Sequence, residues 1–155
     1  MKRKYALVLF SFFTFVYFAL VLSDCIGFSR PLGFNKSNSL PYWVFYRKYG
    51  KTRADKKDFI ICKRGSKNYV KKVVGVEGDE ILFEGEKIFV AGKEVGKVLS
   101  HNPSSGRFFE PISAQKIPKD NLFVAGTHEL SFDSRYAEFG LVNVSEVEGC
   151  YAALF

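Results

Sequence analysis

The chain has 155 residues, 47% hydrophobic and 17% aromatic, with 23 lysines and arginines against 16 acidic residues for a net charge of +7. That length is one domain's worth, and its three cysteines lack metal-ligand spacing, so neither a zinc site nor any cofactor is called for. The basic excess crowds residues 36–72 without a zinc-finger, helix-turn-helix or aromatic RNA-binding signature, which excludes nucleic acid as an expected partner and leaves a solvated or membrane-facing surface.

Lys2, Arg3 and Lys4 precede residues 5–22, which carry no charge and span about 27 Å if helical. The basic cluster outweighs Asp24 and Arg30 behind the segment. This predicts a cytoplasmic N-terminus (1–4), a transmembrane anchor (5–22) and an extracytoplasmic domain (23–155). A cleaved signal peptide is the rival, but its apolar region usually runs about 7 to 15 residues and ends at small residues of the A-x-A type. Val21-Leu22-Ser23-Asp24-Cys25 only loosely resembles a lipoprotein processing site, because Asp24 stands where a small residue belongs.

Past the anchor the sequence reads as strands. β-Branched and aromatic runs over 42–47, 58–63, 69–75, 80–83, 87–90, 121–125 and 149–154 are bounded by Gly, Asp or Asn, and no amphipathic helical period appears. Residues 83–88 predict a tight hairpin and 90–95 a further turn, making the middle a β-meander. Residues 100–119, with three prolines, predict a long surface excursion. An extracytoplasmic domain permits one disulfide among Cys25, Cys62 and Cys150, although Cys62 reads equally well as a small buried side chain of an apolar strand.

Ser39, just beyond the apolar segment, is a candidate nucleophile in need of a base. The only histidines are His101, in the excursion, and His128, in a turn after Gly126, and no motif supports a histidine triad. In Tyr69-Val70-Lys71-Lys72-Val73-Val74-Gly75 the two-residue period puts Lys71 with Tyr69 and Val73 on one face and Lys72 on the other. One of the two lysines is thereby turned toward apolar neighbours. Desolvation lowers a lysine's pKa and lets it accept a serine proton; the alternative is an ordinary exposed lysine.

Ser37-Asn38-Ser39-Leu40-Pro41 resembles the nucleophile box of membrane-bound type I signal peptidases, and the stretch from Tyr69 through Gly78-Asp79 resembles their lysine box. Ser131-Phe132-Asp133-Ser134-Arg135-Tyr136 is similar to the family's distal signature. The resemblance implies Ser39 as nucleophile, Lys71 as general base, Ser37 as an oxyanion donor beside the Ser39 N–H, and Ser131 as the group orienting Lys71. Asp133 and Arg135 are implied as an ion pair fixing the third block, against the alternative of a surface salt bridge. The implied fold is mainly β, two coiled antiparallel sheets behind one N-terminal transmembrane helix, with an apolar rim dipping into the bilayer. Tyr42, Trp43, Phe45 and Tyr46 suit that rim or an ordinary core.

Two departures point to a specialised branch. Ser39-Leu40-Pro41 is shorter than the usual box, which has a methionine and one more residue before the proline, and Glu77 replaces the usual proline before Gly78. The compact chain and the block through Ala137-Glu138-Phe139-Gly140 look most like the conjugative-transfer signal peptidases, which mature pilin precursors. The expected partners are a precursor or pilin leader peptide, the lipid bilayer, and a secretion or conjugation apparatus. The alternatives are a pilin-cyclising acyl transferase on the same site and a non-catalytic anchored β-domain that assists assembly of a secretion channel.

Overall fold

With no Gly or Pro from residue 2 to residue 25, the N-terminal segment forms one helix, α1 (Lys2–Cys25). The computed structural model describes residues 2–25, 31–101, 106 and 108–154. They divide into two units, Met1–Pro31 and Leu32–Phe155. In α1 the described side chains are Tyr5 and 7–19, all exposed. Among the described residues no helix is long and apolar enough to cross a membrane, so the transmembrane helix expected over 5–22 is not found.

The second unit is antiparallel β throughout its described strands. β1 (Leu32–Phe34), β2 (Val44–Arg47), β3 (Phe59–Arg64), β4 (Lys67–Val76), β8 (Asn121–Ala125), β9 (Val142–Asn143) and β10 (Val147–Ala153) form one sheet in the order β1-β2-β10-β3-β4-β8-β9. β5 (Ile81–Glu84), β6 (Lys87–Val90) and β7 (Lys93–Lys97) form a second, three-stranded sheet. A mainly β fold of two antiparallel sheets is thus observed.

Turn chemistry fixes the small sheet. Glu84 pairs with Lys87 across Gly85-Glu86, and Gly85 alone has positive φ, the pattern of a type II′ hairpin. Ala91 and Gly92 are both at positive φ between the paired Val90 and Lys93, a type I′ turn. The second turn leads into β7, which the sequence pattern does not announce: Lys-Glu-Val-Gly-Lys lacks alternation and is held by backbone pairing to β6.

Three apolar clusters result. Ile60, Cys62, Val73 and Val124 pack on one face of the large sheet, while Phe45, Phe59, Ile61 and Tyr151 pack together elsewhere on it. The third cluster joins the sheets, Ile81, Ile88 and Val90 of the small one meeting Phe123 and Ala125 of the large one. Ile112 and Ile117 are buried in that joint, and Pro111 bridges to Tyr136. The stretch 108–119 runs over the surface as expected, most of its residues exposed, but is pinned to the core at Ile112 and Ile117; residues 102–105 and 107 lie outside the described ones. Cys62 and Cys150 are buried free thiols, and burial pushes Cys62 up to about 11. The Cys25 side chain lies outside the described residues.

Gly75 sits where β4 shifts register against β8, and a Cβ there would lie 2.5 Å from Val90 Cγ1 and 2.6 Å from Ile117 Cδ1. Gly75→Ala is therefore expected to destabilise the domain by about 1–3 kcal/mol through overpacking, read as a fall in the urea midpoint at unchanged m-value.

Candidate active site

The site begins with the alternation of β4. Lys71 points into the core with 2% exposure and Lys72 does not, because Lys71 pairs with Ile60 and shares the face of Tyr69 and Val73. Its Nζ donates to Ser131 Oγ at 2.7 Å and lies 6.0 Å from the Tyr69 ring centroid. Burial lowers the amine from 10.5 to about 8; Asp133 pulls it back up and Arg135 pushes it down. About one such amine in ten is then neutral at pH 7, several hundred times the share of an ordinary lysine.

Ser39 lies in the turn between β1 and β2 and is 9% exposed. Its Oγ is 2.8 Å from Ser37 Oγ, and Ser37 Oγ donates to Asn35 Oδ1 at 2.9 Å. The Ser39 carbonyl accepts from Thr127 N at 2.8 Å and His128 N at 3.4 Å. These contacts tie the serine turn to the segment after β8.

That segment is shaped by one glycine and one buried ion pair. Lys72 pairs with Ala125, so Gly126 follows beside Lys71. A Cβ on Gly126 would collide with Ser131 Oγ and lie 2.6 Å from the Ser39 carbonyl oxygen. Only a residue without a side chain lets the Ser131 hydroxyl and the serine turn close on the same point. Gly126 N–H donates to Asp133 Oδ2 at 2.9 Å. Arg135 holds the same carboxylate through Nε at 2.8 Å and a terminal nitrogen at 3.0 Å. That guanidinium also donates to the carbonyls of Ser131, His128 and Lys97. Both partners are buried, so the pair is not a surface salt bridge.

Ser37, Ser39, Lys71 and Ser131 line one cleft of about 270 Å³, with Tyr69, His128 and Phe132 among its walls. Asp133 and Arg135 stand behind it. A second cleft of about 340 Å³ adjoins the serine turn, lined by Phe34, Asn35, Ser37, Ser39, Asn68 and Tyr69 among others. Ser39 and Lys71 share the first cleft without a hydrogen bond to each other, each holding another hydroxyl; catalytic hydrogen bonds are often long without substrate. The His101 ring lies 5.1 Å from that of Phe108 at an interplanar angle of 55° and does not line the cleft. His128 lines the cleft, but its Nδ1 accepts from Leu130 N.

Sequence reasoning assigned no role to Asn35, Gly126 or Thr127, the last two lying in the third block, which runs from Gly126 to Tyr136. Asn35-Lys36-Ser37 carries the signal of an Asx-turn and was open to reading. Nothing local marks the contacts of Gly126 and Thr127 with Ser39, which span more than 80 residues. Chemically the cleft offers a hydroxyl nucleophile, a partly neutral amine, and hydroxyl and backbone donors for a developing oxyanion.

A family model described as "Signal peptidase, peptidase S26" matches residues 4–155. A signal peptidase I P of Bacillus subtilis subsp. natto is 33% identical over 110 residues, covering 63% of this chain and 57% of that one. A second protein of the same description and organism is 31% identical over 140 residues, 81% of this chain and 71% of the other. A signal peptidase I of Bacillus caldolyticus is 30% identical over 104 residues, 59% and 56% of the two chains. In the first and third of these matches the chain spans under two thirds of the relative's length. A solved signal peptidase I of Enterococcus faecalis V583 aligns at TM-score 0.45 and 23% identity, over 63% of this chain and 96% of that one.

Burying Lys71 strains the fold. Its folded pKa lies below the unfolded value, so the unfolded state binds more protons between about pH 8 and 10.5 and stability rises with pH across that window. Below pH 8 the domain carries the full penalty, on the order of 3 kcal/mol. Lys71→Met is expected to raise the thermal midpoint at pH 6–7 and to remove the gain in stability above pH 8, checked by calorimetry across pH.

Proposed function

The chain belongs to the signal peptidase family, peptidase S26, and we propose that it is a serine endopeptidase that removes leader peptides from exported precursors by Ser-Lys acyl-enzyme chemistry. The observation carrying this reading is the buried amine of Lys71, brought down to about 8, in the same cleft as Ser39.

In the proposed reaction neutral Lys71 takes the Ser39 hydroxyl proton as Ser39 Oγ attacks the scissile carbonyl. The tetrahedral oxyanion is met by the Ser37 hydroxyl and the Ser39 N–H, donors typically worth about 3 kcal/mol each in a water-excluded site. As the C–N bond breaks, Lys71 passes the proton to the departing amine and the acyl-enzyme remains on Ser39. Water, losing a proton to Lys71, then attacks the ester, and Lys71 returns that proton to Ser39 Oγ as the acyl C–O bond breaks. Ser131 keeps the Lys71 amine aimed at this exchange through the 2.7 Å bond. Asp133 and Arg135 fix the segment that presents Ser131.

The substrate strand lies extended along the two clefts that meet at Ser39. Within the family we assign a pilin precursor of a conjugative transfer apparatus, on the short Ser39-Leu40-Pro41 box and Glu77. We place the catalytic domain on the extracytoplasmic face of the membrane. The exposed aromatics Tyr42, Trp43 and Tyr46, close to Ser39 in the chain, suit contact with lipid headgroups.

Ser39→Ala and Lys71→Ala are each expected to abolish cleavage of a precursor peptide by the full chain in detergent, with the far-UV spectrum unchanged; cleavage by either variant would end the Ser-Lys assignment. The wild-type rate should climb with pH as Lys71 loses its proton, with an apparent pKa of about 8, and a flat profile from pH 6 to 10 would exclude a lysine base. Mass spectrometry of the product separates the alternatives: free ends mark hydrolysis, a ring marks acyl transfer, and unaltered precursor marks a non-catalytic domain. A reporter fused after residue 155 should be active only outside the cytoplasm.

A further inference from the structure

Five hydrogen bonds converge on Asn35, which is 8% exposed. Its Oδ1 accepts from Ser37 N at 3.1 Å and Ser37 Oγ at 2.9 Å, and its Nδ2 donates to the carbonyls of Ser37, Leu40 and Tyr42 at 2.8, 3.2 and 3.2 Å. With an N–H facing one end of the amide and three carbonyls facing the other, its orientation is fixed. A carbonyl oxygen only accepts, so the single proton of the Ser37 hydroxyl lies in the bond to Asn35. Ser37 Oγ must then accept in its 2.8 Å bond with Ser39 Oγ, and it also accepts from Ser39 N at 3.4 Å. The chain of bonds runs one way, from the Ser39 hydroxyl to the Ser37 hydroxyl to the Asn35 carbonyl.

Both groups proposed as oxyanion donors are thus engaged within the turn. We infer that Asn35 is a positioning residue that holds the Ser37 proton away from the cleft until an oxyanion forms, an inference that rests on the peptidase reading above. A neutral substrate carbonyl competes with the Asn35 oxygen on equal terms. An oxyanion is a far stronger acceptor, because charge-assisted hydrogen bonds are roughly twice as strong as neutral ones. The Ser37 hydroxyl turns from Asn35 to the oxyanion as Ser39 gives its own proton to Lys71, and the Ser39 N–H is released with it. The donors reach full strength in the transition state and not before it, which raises kcat and leaves substrate binding alone.

The test is a double-mutant cycle between Asn35→Ala and Ser37→Ala in the full chain, with kcat, KM and thermal midpoint measured on a precursor peptide. Asn35→Ala is expected to lower kcat and KM together, by up to about tenfold, because the freed Ser37 proton then bonds the ground-state carbonyl, and to change either by less than about twofold once Ser37 is alanine. Equal losses in both backgrounds would overturn the inference, since a merely structural role of Asn35 would persist without the Ser37 hydroxyl. A fall in kcat at unchanged KM would overturn it as well. Should Asn35→Ala unfold, Asn35→Gln takes its place: it keeps an amide donor and acceptor but displaces them by one methylene, and it should change kcat and KM only while the Ser37 hydroxyl is present. A wild-type protein that turns over no precursor would remove the peptidase reading and this inference with it, whereas additive losses in an active protein remove this inference alone.

Discussion

An amine buried in a β-sheet core is the constraint around which this domain is organised. Lys71 stands opposite Ile60 and beside Val73, where an apolar side chain would pack without penalty. Burial drives the amine toward its neutral form, and the single hydroxyl of Ser131 satisfies it without restoring its charge. The Coulomb effects of Asp133 and Arg135 on the amine oppose each other, so desolvation is left to dominate. A site that needs a lysine neutral near neutral pH is served by this arrangement, at the expense of stability.

The Asp133–Arg135 pair illustrates the same trade from the other side. Taking both charges out of water is costly, and a buried ion pair seldom stabilises a fold relative to apolar residues of similar size. What it provides here is position. Asp133 receives the Gly126 N–H and Arg135 collects the carbonyls of Ser131 and His128, so the turn between β8 and the Arg135 segment has few other conformations open to it. Ser131 is thereby delivered to Lys71, and Thr127 N to the Ser39 carbonyl. Gly126 lets these pieces meet, since any side chain there would occupy the place of the Ser131 hydroxyl.

The serine turn is built on local hydrogen bonds instead of burial. Asn35 closes it from within and Thr127 grips it from outside, leaving Ser37 exposed and Ser39 at the rim of the cleft. A rigid rear wall faces a hydroxyl pair whose protons can be redirected by rotation alone. That division suits a reaction in which the nucleophile moves a proton while the base stays fixed.

Much of this was written in the primary structure. Alternation along residues 69–75 separated Lys71 from Lys72, the three blocks around Ser39, Lys71 and Ser131 carried the family, and the Gly85 turn marked one hairpin, because each depends on neighbours a few residues apart. The short strands β1, β7 and β9 were not legible: three of five residues in β7 are charged and one is glycine, and backbone pairing decided them. Burial of Ile112 and Ile117 was equally hidden, since they find their partners only when the two sheets close. Sequence supplied the reacting groups and the period that turns one lysine inward. Tertiary structure alone decided that Gly126 lies against both Ser39 and Ser131, that Asp133 and Arg135 are buried and not on the surface, and that the Ser37 proton rests on Asn35, because the long-range contacts and the direction of a proton follow from packing in three dimensions and leave no periodic trace along the chain.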